Sequence, residues 1–126
     1  GVFVGISAVD YGALCREGGA PSAYSGPAWS LSIAANRLSY ALGLTGPSVA
    51  LDTACSSSLV ALHLALRAVR AGECHSALVA GANVQLVAGW SAAFEAAGML
   101  APGVGRCRFG SDAADGYARG EGVGVV

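Results

Sequence analysis

The feature that most constrains the fold is a corner at residues 52–58, where a short apolar run meets a much longer one. Residues 48–51 are apolar and extended in character, and residues 58–71 carry Leu, Val or Ala at almost every position. This pattern predicts a strand that runs directly into a helix, which begins at Ser56 and is ended by Gly72. Because apolar residues occupy nearly every face of that helix, we expect it to be buried on all sides.

Cys55 lies at this corner, between the strand and the helix. A thiol there faces the positive end of the helix dipole and unpaired backbone N–H groups, and both favour the thiolate, which is the nucleophilic form. Most free cysteines instead fill space in a core, but three consecutive serines at 56–58 suit a polar site better than a core. From the residues alone, a nucleophilic and a space-filling Cys55 are both open.

The rest of the chain alternates between strand-length apolar runs and helical patterns. These patterns predict strands at 2–6, 48–52, 76–85 and 121–126, helices at 10–15, 31–42, 56–71 and 90–97, and loops at 20–28 and 102–110. We expect the first helix to end at Gly18-Gly19, the second to have Gly43 as its C-cap, and Trp29 to be a packing residue. The alternation implies an α/β chain, with a parallel or mixed sheet and helices on both faces.

The composition is apolar and poor in charge. Of 126 residues, 54% are hydrophobic and 12% are charged, which is too apolar for disorder and sparse in charge for a free-standing small domain. The chain begins without methionine and ends inside an apolar run, so we expect residues 1–126 to be one partial domain, truncated at both ends. A net charge of −1 without a basic patch argues against a nucleic-acid partner.

Two further classes of protein are disfavoured. The stretch 77–94 lacks charge over about the length of a membrane span, but its Asn83, Gln85 and glycines fit a strand, a turn and a helix better than membrane insertion. The cysteines Cys15, Cys55, Cys74 and Cys107 include no C-x-x-C pair, which argues against a zinc site. We expect no metal, no disulfide and four free thiols, one of them functional.

Several motifs resemble the β-ketoacyl synthase family, and most closely the ketosynthase domains of modular type I polyketide synthases. The run DTACSSSLVALH at 52–63 resembles the active-site signature of that family. The runs GVFVGI at 1–6, SIAANRLSY at 32–40, GPS at 46–48 and ADGYARGEG at 114–122 resemble the segments around it. The resemblance covers nearly the whole chain, and its motifs are long and correctly spaced.

The resemblance implies a thiolase-like fold, of which this chain would form most of the N-terminal half only. It also implies a catalytic Cys55, which takes an acyl chain as a thioester from the phosphopantetheine of an acyl carrier protein. A carrier-bound malonyl-type extender then loses carbon dioxide, and the carbanion attacks the thioester in a decarboxylative Claisen condensation. The chain would be a 3-oxoacyl-[acyl-carrier-protein] synthase type transferase in polyketide or fatty acid biosynthesis.

The partners and cofactors follow from the same resemblance. No cofactor or metal would be bound directly, and the partners would be acyl carrier protein, other polyketide synthase domains and a second copy of the full domain. Neither a nucleic acid nor a membrane is expected as a partner, and the expected location is the cytoplasm.

The family also needs two histidines, in motifs of the type HGTGT and NxGH, and neither motif occurs in this chain. His63 follows Cys55 by eight residues on the same predicted helix, about two turns away, and is expected to be packed in the core. His75 is expected near solvent, and neither histidine is assigned a catalytic role. We therefore expect these 126 residues to hold the nucleophile and to be inactive alone.

Three alternatives stand beside a condensing enzyme. The first is a non-elongating ketosynthase-like domain that binds acyl chains and passes them on. A non-catalytic partner protein is disfavoured because such proteins replace the nucleophile that Cys55 would supply. A thiol hydrolase of another fold would need a nearby His-Asn or His-Asp pair, which the sequence does not show.

Overall fold

The computed structural model describes residues 1–18, 20, 22–103 and 105–126, which form one mixed four-stranded sheet with helices packed on it. In chain order the elements are β1 Val2–Ile6, α1 Asp10–Glu17, α2 Ser25–Trp29, α3 Ser32–Ala41, β2 Ser48–Leu51, α4 Ser57–Arg70, β3 Leu78–Asn83, α5 Gly89–Ala96 and β4 Gly122–Val125. The strand order is β2-β1-β3-β4. Strand β1 is parallel to β2 and β3, and β4 is antiparallel to β3.

Helices cover both faces of the sheet, because successive residues of a strand point to opposite faces. On one face Phe3 packs with Val79 and with the alanines of α4. On the other face Val2 and Val4 pack with Ala35 of α3. The α/β architecture predicted from the sequence, a mixed sheet with helices on both faces, is confirmed.

All eight predicted helices and strands are present, and their ends lie within two residues of the predicted ones. The loop predicted at 20–28 is wrong in part, because Ser25–Trp29 forms the short helix α2. Pro27 is compatible with it because a proline is tolerated in the first turn of a helix. Gly18 caps α1 as predicted. The C-cap of α3 is Leu42, and Gly43, with φ +62°, is the next residue, so the predicted cap is wrong by one position. The predictions for Gly19, Pro21 and Val104 lie outside the described residues.

Trp29 packs against α1. The guanidinium of Arg16 lies 5.7 Å from the centroid of the Trp29 ring. A Cβ at Gly12 would come within 3.1 Å of the same ring, so the indole and the backbone of α1 are in close contact. The predicted packing role of Trp29 is confirmed.

Helix α4 is not buried on all sides within this chain, and that prediction is wrong. Its buried residues are the small ones, Ser57, Ala61, Ala65 and Ala68. The larger side chains of the opposite face are exposed, with Leu59 exposed to 70%, and His63 is also exposed instead of packed in the core. The reason is that the sheet contacts only one face of the helix, and the close contact selects the smallest side chains for that face.

The uncharged stretch at 77–94 folds as a strand and a helix, as expected. Residues Leu78–Asn83 form β3, and Gly89–Ala96 form α5. Among the described residues, no helix combines the length and the apolar character needed to cross a membrane.

Two glycines let the start of α4 lie directly on the sheet. Gly5 of β1 and Gly81 of β3 are register partners on adjacent strands. A Cβ at Gly5 would come within 2.5 Å of the backbone carbon of Ser57, and one at Gly81 within 2.9 Å of the Cβ of Ser58. Any side chain at these positions would push the corner that carries Cys55 away from the sheet.

Gly5→Ala should therefore lower the free energy of unfolding by about 1–3 kcal/mol, because the added methyl group meets backbone atoms that have little room to move. Urea denaturation followed by circular dichroism measures this change. Gly89→Ala is the matched control, because a Cβ at Gly89 meets nothing within 4 Å and the stability should stay within about 0.5 kcal/mol of wild type. Equal stabilities of the two variants would contradict the close approach at Gly5.

Candidate active site

The corner between β2 and α4 is a sharp turn built around Ala54. Ala54 has φ +56°, the one positive value among the non-glycine residues that the structure describes. For an L-residue this left-handed conformation costs about 1–2 kcal/mol. The turn is closed on its other side by the Ala54 carbonyl, which accepts the backbone N–H of Ser57 at 3.1 Å and its hydroxyl at 2.6 Å.

Asp52 holds the turn in this conformation. Its Oδ1 accepts the backbone N–H of Ala54 at 2.8 Å and the hydroxyl of Ser7, beyond the end of β1, at 2.5 Å. The Ser7 hydroxyl, and after it the Ala54 amide, lower the pKa of Asp52 below 3.8 because both stabilise the ionised carboxylate. The charged form of Asp52 therefore connects the end of β1 to the turn that precedes Cys55.

The serines after Cys55 are used to build the corner. Ser57, which is 5% exposed, accepts the backbone N–H of Thr53 at 2.9 Å through its Oγ. Ser56 donates its hydroxyl to the Thr53 carbonyl at 2.8 Å. Ser58 lies against Gly81 of the sheet. The serines that make this segment polar in the sequence therefore stabilise the backbone around Cys55.

Cys55 is exposed and lines a cleft of about 870 Å³, so it does not fill a core. The cleft lies between the ends of β1 and β3, the corner, helix α5 and residues 117–121, which form the segment before β4. Its lining is mostly small and apolar, with the rings of Trp90 and Phe94 on one wall, 5.9 Å apart between centroids. A thiol at the wall of such a cleft can reach an electrophilic group on a bound molecule.

The segment before β4 forms a second wall, which the sequence analysis did not assign to the site. Arg119 donates to the Ser91 hydroxyl at 2.6 Å, and its guanidinium lies 5.3 Å from the centroid of the Phe94 ring. Asn83 donates its side-chain amide to the Gly120 carbonyl at 2.5 Å. The motif ADGYARGEG was the only signal for this wall, because its pairing with α5 depends on tertiary contacts between distant parts of the chain.

The histidines lie away from this cleft. His63 and His75 are both exposed, and neither lines the cleft. The solvent position predicted for His75 is confirmed, whereas the core position predicted for His63 is wrong because it lies on the open face of α4.

All four cysteines are free thiols. Cys15 and Cys74 are half-buried, and Cys107 is exposed, with its Sγ accepting the backbone N–H of Ala118 at 3.2 Å. Within residues 1–18, 20, 22–103 and 105–126, no three His, Cys, Asp or Glu side chains are grouped closely enough to hold a metal ion.

Comparison with known proteins identifies the family. Residues 1–126 match the family described as "Beta-ketoacyl synthase, N-terminal domain". The chain belongs to the β-ketoacyl synthase family. The resemblance found in the sequence is thereby confirmed.

The curated relatives of this β-ketoacyl synthase chain are large polyketide synthases. It is 48% identical to a phenolphthiocerol/phthiocerol polyketide synthase of Mycobacterium tuberculosis, with 100% of this chain and 7% of that protein covered. It is 47% identical to the spectinabilin polyketide synthase system protein NorC of Streptomyces orinoci, with 100% of this chain and 6% of that protein covered. The chain therefore spans only a small part of the relatives it matches.

Solved structures show the same fold. The oxazolomycin ketosynthase domain OzmH KS7 of Streptomyces albus superposes with a TM-score of 0.85 at 40% identity, over 98% of this chain and 22% of that one. The ketosynthase from module 6 of the bacillaene synthase of Bacillus subtilis gives a TM-score of 0.85 at 38% identity, over 98% of this chain and 20% of that one. The thiolase-like fold expected for the N-terminal part is confirmed.

The lowered pKa of Asp52 predicts a pH dependence of stability. Because the folded pKa lies below the unfolded value of 3.8, the carboxylate stabilises the fold fully above pH 3.8, and this contribution is lost as the pH falls through the folded pKa. Asp52→Asn keeps an acceptor oxygen without the charge, so its denaturation midpoint should fall less steeply than that of wild type below that pH. Urea midpoints measured at a series of pH values test this.

Ser7→Ala is the matched variant, because it removes the hydroxyl that contributes most to the shift while leaving Asp52 in place. Its pH dependence should lie between those of wild type and Asp52→Asn. Identical curves for all three proteins would show that the Ser7–Asp52 contact does not stabilise the charged form.

Proposed function

We propose that this chain is the nucleophile-bearing part of a ketosynthase, and that Cys55 is its catalytic residue. The thiol would accept an acyl chain as a thioester from the phosphopantetheine of an acyl carrier protein. The observation that carries the proposal is the exposed Cys55 at the wall of the apolar cleft, on a turn held by Ala54 and Asp52. Membership of the β-ketoacyl synthase family supports the same chemistry.

The reaction has two covalent steps. In the first, the Cys55 thiolate attacks the carbonyl carbon of the carrier-bound thioester, and the carrier thiol leaves with a proton. In the second, a carrier-bound malonyl-type extender loses carbon dioxide, and its carbanion attacks the Cys55 thioester to form the new carbon–carbon bond and release the thiol. Dividing the condensation in this way replaces one bimolecular encounter by two positioned steps.

The surroundings of Cys55 suit this chemistry. Thioester carbonyls are electrophilic and decarboxylation supplies the carbanion, so neither step requires a bound cofactor or a metal. The backbone N–H of Cys55, one residue before the N-cap of α4, is proposed as a donor to the thioester oxyanion. The small apolar residues and the two aromatic rings of the cleft would hold the acyl chain.

The enzyme class that we propose is a 3-oxoacyl-[acyl-carrier-protein] synthase type transferase of polyketide biosynthesis. We propose that residues 1–126 are one partial domain of a longer chain, with acyl carrier protein, other polyketide synthase domains and a second copy of the full domain as partners. The small shares of the relatives that this chain covers support this view. A cytoplasmic location agrees with four free thiols.

Replacing the nucleophile tests the first step. In the complete ketosynthase, Cys55→Ala should abolish acyl loading from acyl-pantetheine, because no other group in the cleft forms the thioester. Intact-protein mass spectrometry measures the added acyl mass. Cys107→Ala is the matched control, since Cys107 is also an exposed thiol but lies outside the cleft, and it should load as wild type does. Loading that survives in Cys55→Ala would disprove the assignment.

The isolated 126 residues should not condense an acyl thioester with malonyl-pantetheine, because both family histidine motifs are missing from them. Chromatographic detection of the β-ketoacyl product measures this, with the complete protein as the control. Product formed by the isolated chain would refute the prediction. A complete protein that loads Cys55 without condensing would indicate the non-elongating alternative.

A further inference from the structure

Asp10 is a buried carboxylate that the proposed reaction does not use. It lies in the first turn of α1, is 3% exposed and does not line the cleft. Burying a carboxylate is unfavourable unless hydrogen bonds compensate for the lost water. The groups that contact Asp10 therefore indicate what the residue is for.

Those groups belong to the segment that joins β3 to α5. Oδ2 of Asp10 accepts the backbone N–H of Leu86 at 3.0 Å and that of Val87 at 3.3 Å. These two residues come just before Ala88, the N-cap of α5. One carboxylate oxygen thus holds two consecutive amides at the entrance to the helix. Its other oxygen, Oδ1, is buried without a hydrogen-bond partner among the described residues.

A second carboxylate, from a different part of the chain, holds the same segment. Oε1 of Glu121, in the segment before β4, accepts the backbone N–H of Gln85 at 2.6 Å. The β3–α5 connection is therefore fixed between α1 and the segment before β4. Helix α5 starts directly after it and carries Trp90 and Phe94, the two rings of the cleft wall.

We propose that Asp10 is a positioning residue for acyl-chain binding. By fixing the start of α5 through the amides of Leu86 and Val87, it sets where the Trp90 and Phe94 rings stand in the cleft. The proposal rests on the proposed function, in which the acyl chain on Cys55 occupies this cleft. Asp10 contacts neither Cys55 nor the cleft, so its effect should fall on substrate binding and should depend on the length of the chain.

The test uses the complete ketosynthase, with acetyl-pantetheine and octanoyl-pantetheine as acyl donors and the acylation of Cys55 as the readout. In Asp10→Ala, KM for the octanoyl donor should rise about tenfold, the size expected from losing hydrogen bonds to a charged group. KM for the short acetyl donor and kcat for both donors should stay at the wild-type values. Asp10→Asn keeps an oxygen that can accept both amides and should restore the octanoyl KM.

A purely structural role for Asp10 would look different. It would lower the active fraction, and so reduce kcat equally for both donors with KM unchanged, and that result would overturn the proposal. An octanoyl KM that Asp10→Asn does not restore would also overturn it. Wild-type protein that takes no acyl group on Cys55 would overturn the proposed function, and the proposal with it.

If Asp10→Ala does not fold, hydrogen exchange of the wild-type protein tests the proposal instead. The amides of Leu86 and Val87 should be protected in hydrogen exchange, because Asp10 accepts both. Protection of both amides supports the positioning role. Exchange at the rate of exposed amides would show that Asp10 does not hold the start of α5.

Discussion

The close approach of helix α4 to the sheet at Gly5 and Gly81 is the constraint on which the other features depend. The absence of a Cβ on two paired residues of adjacent strands lets the backbone of Ser57 and Ser58 lie directly above them. That contact places both Cys55 and the turn at Ala54 beside the ends of β1 and β3, where the cleft opens. Farther along, the buried residues of α4 are alanines, whose small side chains let the helix stay close to the sheet.

The corner is held by polar contacts that each compensate for an unfavourable feature. A left-handed Ala54 is strained, and the carboxylate of Asp52 offsets that strain by accepting its amide. The hydroxyl of Ser57 would be unfavourable when buried, but it bonds to both Thr53 and Ala54. These contacts fix the backbone on both sides of Cys55 and leave its thiol exposed. Under the proposed function, a thiol on such a rigid turn would lose little conformational freedom when it reacts.

Local patterns predicted the fold well because strands and helices are encoded by neighbouring residues. The apolar run before Asp52 and the helical run after it predicted both β2 and α4. The corner between them made Cys55 a candidate site but left a space-filling role open, and only the family resemblance implied catalysis. The same kind of pattern gave a wrong prediction for α4, because apolar residues on all faces predicted that the helix is completely buried. The hydrophobic pattern shows which faces of a helix favour burial, and only the tertiary structure shows that Leu59 and His63 are exposed.

The walls of the cleft could not be predicted for a related reason. Asp10 and Leu86 are far apart in the chain, as are Arg119 and Ser91, and no periodic pattern connects the members of either pair. Asp10 in a first helical turn is indistinguishable by sequence from an ordinary acidic residue that complements the helix dipole. Such contacts are specified by the fold as a whole, after strand order and register have brought the segments together.

The position of β1 has a consequence for the order in which this chain can fold. Although β1 comes first in the sequence, it is an inner strand, with Val2 paired to Ser48 on one side and to Leu78 on the other. Neither neighbour can be recruited by a local hairpin, because both pairings are parallel and span long stretches of chain. Loops of that length must close before the sheet gains any stabilisation, so the formation of β1 contacts should limit the folding rate. During synthesis, β1 would therefore leave the ribosome before either strand that it pairs with, and it could complete its native pairing only after β3 has emerged.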